Sequence, residues 1–158
     1  MSTTFIVLVT LHVAAALSWI GGMVFLSIVL APLIRSGTFP GSTALLRAAA
    51  LRFRPVVWTA IAVLLTTGPL LILQRGFGSP GEWPAVLLIK LALVALLLCT
   101  TVLHDVFIGP RVSRISALPL QERSAADHQW LRVSRWLPRL SLLIATAVVV
   151  AAVYLARS

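Results

Sequence analysis

Four long apolar runs, Phe5–Ile34, Val56–Leu73, Ala85–Ile108 and Leu140–Ala156, limit this chain more than any other feature. A helix needs roughly 17–25 apolar residues to cross a ~30 Å hydrocarbon layer at ~1.5 Å per residue, and each run is of that order. In lipid a lone segment must satisfy its own backbone hydrogen bonds, so helix is the forced choice. Composition agrees: 59% of residues are hydrophobic and only 11% charged, where a soluble domain carries roughly 25% charged residues. The expected fold is all-α, an integral membrane four-helix bundle forming one domain over residues 1–158. The first run reads as a retained span, because nothing basic precedes it and it far exceeds the roughly 7–15 residue core of a cleaved signal.

Boundary residues refine this picture. The first run is overlong and is expected to tilt, or to leave the membrane near Pro32. Gly21 and Gly22 in its middle are small enough to admit a close neighbour. Pro55, Pro84 and Pro138 precede the later spans, where proline suits a first helical turn. Trp83 and Trp136 sit at span edges, as interfacial aromatics do. The halves share a layout, but no internal repeat is visible.

The net charge of +9 raises nucleic acid as a partner, and its distribution argues against it. Arg35, Arg47, Arg52 and Arg54 fall in one connecting segment, and Arg111, Arg114, Arg123, Arg132, Arg135 and Arg139 in another. Only Arg75 and Arg157 lie on the opposite side, a bias that places both long loops in the cytoplasm and both termini outside. Within those loops Ser42–Arg54 reads as a short helix led by a serine cap. Ser124–Leu137 reads as another, opened by a capping-box-like Ser124 and Asp127. Both are expected to lie on the anionic leaflet with arginines at the headgroups, docking onto a partner being the rival reading.

Ionisable side chains are costly in hydrocarbon and usually face the bundle interior. Here they are His12, Lys90 (the chain's sole lysine), His104 and Asp105. Counted from the outer edge, His12 lies roughly 10 Å deep and Lys90 roughly 8 Å, while Met23 and His104 lie roughly 27–29 Å deep. At 100° per residue His12, Trp19 and Met23 share one face, as do Lys90, Leu97, Thr101, His104 and Ile108. Facing stripes would make an outer layer of His12 and Lys90 and an inner layer of Met23, His104 and Asp105. The second helix adds Thr59, Thr66 and Thr67, and the fourth Ser141, Thr146 and Tyr154.

Blander roles compete. His12 and Lys90 are within snorkelling reach of the surface. Asp105 can pair at the inner rim with Arg54, Arg111 or Arg139, and Met23 can simply pack. His104 wants partners on both ring nitrogens, and Asp105 or Thr101 can supply only one. A single haem cannot take both His12 and His104 across more than ~15 Å, although a His104/Met23 pair suits haem iron or copper(I). Cys99, the only cysteine, excludes an intramolecular disulfide and reads as a small buried apolar residue. No soluble-enzyme signature is present, and Gly76–Gly81 reads as a turn.

The first span, LHVAAALSWIGGMVFLSIVLAPLIR (Leu11–Arg35), has an early histidine, a Trp-x-Gly-Gly and an inner proline. The second, RFRPVVWTAIAVLLTTG (Arg52–Gly68), has an arginine-rich start and a Thr-Gly. The third, IKLALVALLLCTTVLHDVFIGPR (Ile89–Arg111), has a lysine and a late His-Asp. In that order, over nearly the whole chain, they resemble the CopD-type membrane domain associated with bacterial copper resistance. The resemblance implies a bacterial inner-membrane protein that binds or moves copper, with His12, Lys90 and His104 as the carried-over positions; the stripe geometry adds Met23 to His12 and His104 as the expected metal set. Domains of this type are often fused to further modules, so a homo-oligomer or a larger membrane complex is an expected partner. The chain is also similar to the HemJ-type protoporphyrinogen oxidases, four-helix proteins with an early histidine and a span-three lysine, which implies haem b as the alternative cofactor. A structural accessory subunit is the third expectation.

Overall fold

The computed structural model describes residues 2–35, 42–122 and 124–157. The described chain is helical apart from short connections, and four of its helices are long and apolar enough to cross a membrane. This is a multi-pass membrane protein. It divides into two compact units, Met1–Trp83 and Pro84–Ser158, each a helical hairpin.

In the first hairpin α1 (Thr3–Val24) runs through a π-helical segment (Phe25–Leu30) into α2 (Ala31–Arg35). It returns as α3 (Ser42–Gln74). The Ser2 hydroxyl accepts from the Phe5 N–H at 3.3 Å and caps α1. Helix α3 spans 33 residues without a break, so Ser42–Arg54 is its opening stretch and not a separate helix. Pro55 therefore sits inside α3, as does Pro69. The reason is the size of the alternative loss. An interior proline removes one backbone hydrogen bond. Ending and restarting a helix beside the hydrocarbon leaves up to four N–H and four C=O groups to satisfy. The serine cap expected at Ser42 lies outside the described side chains.

The second hairpin follows the same plan. After a 3₁₀ turn at Pro80–Glu82, α4 (Ala85–Val102) continues through a π segment (Leu103–Ile108) into α5 (Gly109–Ala117), and α6 (Ala125–Arg157) returns. Pro84 stands at the N-cap of α4, as expected. Pro138 does not open a helix: it lies within the unbroken 33 residues of α6. The predicted capping box does form. Ser124 donates from its N–H and its hydroxyl to Asp127 Oδ2 (2.9 and 2.8 Å), and Asp127 N–H donates back to Ser124 Oγ (3.3 Å). The link between the hairpins needs left-handed backbone at Gly76 (φ 67°) and Gly78 (φ 60°), which glycine adopts without strain.

Each π segment ends two residues before a proline, Pro32 in one case and Pro110 in the other. A proline ring clashes with the carbonyl four residues back. Each segment makes a wider π turn, with Ala31 N–H bonded to Leu26 O and Gly109 N–H to His104 O, and the helix continues through the proline. The helix runs on through Pro32 to Arg35.

Packing within the first hairpin depends on Gly22. A Cβ there would coincide with the Phe53 ring of α3, so only glycine allows the contact. Gly21 faces open space. Buried side chains include Ala15, Trp19, Ala60, Ile61 and Thr67 here, and Leu97, Thr100, Ser141, Ile144 and Ala145 in the second hairpin. Ser141 donates to Thr100 Oγ1 at 3.4 Å, joining α6 to α4.

Candidate functional site

The sharpest polar geometry inside the apolar layer is at His12 on α1. Its Nδ1 lies 2.7 Å from Thr67 Oγ1 on α3. Helical phase places both residues on the facing sides of the hairpin, and Thr67 is buried. The Thr67 hydroxyl has one proton, and it is committed to the Val63 carbonyl at 2.6 Å. Toward His12 the hydroxyl oxygen accepts, which puts a hydrogen on Nδ1. Gly68 keeps the space beside the ring open, since a Cβ there would be at van der Waals contact, 3.6 Å from His12 Cε1. The ring is turned toward α3 and does not snorkel along α1.

This is the arrangement that metal-bound histidines use, one nitrogen ligating while the other is pinned by a hydrogen bond that sets tautomer and orientation. As a complete ion cage it falls short. Met23 is eleven residues further along the same helix, about 16 Å away, and cannot share an ion with His12. Among the described residues no group of three His, Cys, Asp or Glu side chains comes together. What His12 offers by itself is single-imidazole ligation.

Trp19, two turns from His12 on the same face, is only 3% exposed, and its indole N–H has no hydrogen-bond partner. Sequence reasoning put Trp19 on the stripe without a role. A buried donor left unmatched costs about 1–3 kcal/mol.

In the second hairpin Lys90 is half-buried on α4. It stands thirteen residues before the π segment that begins at Leu103, the spacing His12 has from the π segment at Phe25. His104 and Asp105 lie within the π segment. Counting at 100° per residue put His104 on the inward stripe, but a π turn holds more residues than an α turn. Asp105 is half-buried and Ile108 buried, as the inward stripe has them, whereas His104 is exposed.

Other expected interior groups also turn outward. Thr66 and Thr146 donate to carbonyls of their own helices, Thr59 is exposed, and Tyr154 is 67% exposed. Cys99 is exposed and not buried, on the outer side of α4. Thr100, not singled out from sequence, is the residue that meets Ser141; Thr101 bonds Leu97 O at 2.7 Å instead. At the arginine-bearing end, Arg111 stacks over Trp130 (4.6 Å to the ring centroid) and Arg139 over Trp136 (4.9 Å). The Arg54 side chain is exposed, and those of Arg35, Arg123 and Arg135 lie outside the described ones.

No protein-family model, curated protein or solved structure matches this chain.

Proposed function

We propose that this protein handles copper in a bacterial inner membrane, with both termini outside, and that His12 Nε2 is a point of contact for the ion. The observation that carries the reading is the His12–Thr67–Val63 chain of hydrogen bonds inside the first hairpin. It prepares one imidazole as a donor where an isolated polar group would be costly. A lone imidazole holds copper(I) weakly, and passage through a membrane needs sites that bind well enough to load and weakly enough to release. Lys90 and His104 are the further positions carried by the resemblance to the CopD-type domain, and Met23 is added by its place on the helical stripe. Haem b is the second reading, supported by the same observation, because an axial histidine also ligates through one pinned ring.

Cells producing the wild-type protein are expected to change their copper content when copper is supplied, and His12→Ala is expected to abolish the change. Unchanged copper content in wild type and variant, with no copper on the purified protein, would refute the copper reading. An absorption spectrum distinguishes the second: a Soret band lost in His12→Ala supports haem, and a colourless preparation rejects it.

A further inference from the structure

Helix α6 carries a continuous outward stripe that the proposed copper chemistry does not use. Arg132, Trp136, Arg139, Leu143, Val150 and Tyr154 fall within about 60° at 100° per residue. All six are exposed. Their order along the helix is basic and aromatic, then aliphatic, then aromatic again. Trp136 and Tyr154 are eighteen residues apart, about 27 Å, close to the ~30 Å thickness of a hydrocarbon core. They mark the two interfaces where amphipathic rings settle.

That spacing puts Arg132 and Arg139 at the headgroup level of one leaflet. The Arg139 guanidinium sits over the exposed Trp136 ring, its Cζ 4.9 Å from the ring centroid. Stacking of this kind leaves the in-plane N–H edge available, and that edge matches a phosphate in a two-point contact. Arg132 is one turn from Trp136 on the same side. Below them Leu143 and Val150 offer an aliphatic track along the same line.

We propose that this face of α6 binds an anionic glycerophospholipid, the phosphate held by Arg132 and Arg139 beside Trp136 and the acyl chains lying along Leu143 and Val150. Charge complementarity chooses the occupant: the stripe is cationic only where a headgroup would sit and apolar where chains would lie.

The test uses the full-length protein in detergent with equimolar phosphatidylglycerol and phosphatidylcholine, retained lipid being read by native mass spectrometry. Wild type is expected to keep the anionic lipid in about tenfold excess, since each basic residue near an anionic headgroup contributes on the order of 1 kcal/mol. R132Q/R139Q is expected to bring the ratio within about twofold while keeping wild-type helicity by circular dichroism. R157Q, at the other end of α6, is expected to keep the preference. Equal retention of the two lipids by wild type, or an unchanged ratio in R132Q/R139Q, would overturn the proposal. So would displacement of the lipid by millimolar glycerol 3-phosphate, which would show that phosphate suffices without the chains.

Discussion

The His12–Thr67 contact predicts a specific pattern of substitutions. Thr67→Val removes the acceptor and leaves a ring N–H in an apolar layer, so unfolding in detergent should show a loss of about 1–3 kcal/mol. Thr67→Ser keeps the hydroxyl and should restore most of it. Trp19→Phe should behave oppositely: deleting an unmatched buried donor is expected to be neutral or stabilising, and a loss above about 1 kcal/mol would mean the indole has an acceptor. Gly22→Ala forces its new methyl into Phe53 and should cost about 1–3 kcal/mol, whereas Gly21→Ala meets open space and should stay within about 0.5 kcal/mol. The need for a small residue at Gly22 was legible in the sequence, because it follows from steric size. The choice of Thr67 over Thr66 and Thr59 was not. It depends on the relative rotation of α1 and α3, which no single-helix count supplies.

Among elements, the prolines separate what pattern reveals from what it conceals. The apolar runs located all four spans, and the capping box at Ser124 and Asp127 was readable as a local motif. Pro55 and Pro138 looked like helix starts because proline suits a first turn, but continuity across the membrane edge prevails. Spin labels at positions 47 and 65 test this, since an unbroken α3 separates their backbones by about 27 Å and a bend at Pro55 would bring them markedly closer. The π segments were invisible for a related reason. They sit just ahead of a proline in each hairpin, and they shift register by less than one residue position per turn. Within the second segment His104 is exposed, while Asp105 and Ile108 keep the inward side that the helical count assigns them.

At the level of the whole molecule, two hairpins share a plan that the sequence does not display as a repeat. In each, the first helix carries a π segment two residues ahead of a proline, and the second is a 33-residue helix with proline as its fourteenth residue. His12 and Lys90 occupy matching positions thirteen residues before the π segments, although the side chains differ. Such a plan can persist while side chains diverge, because lipid asks only that most positions be apolar. The account as a whole depends on His12 presenting Nε2 from within the first hairpin. Solid-state ¹⁵N NMR of histidine-labelled protein in bilayers, with His12 assigned by its loss in His12→Gln, reads this directly. The account predicts a protonated Nδ1 and an unprotonated Nε2 whose resonance alone moves strongly when copper(I) is added. A protonated Nε2, or a His12 signal indifferent to copper(I), would contradict it.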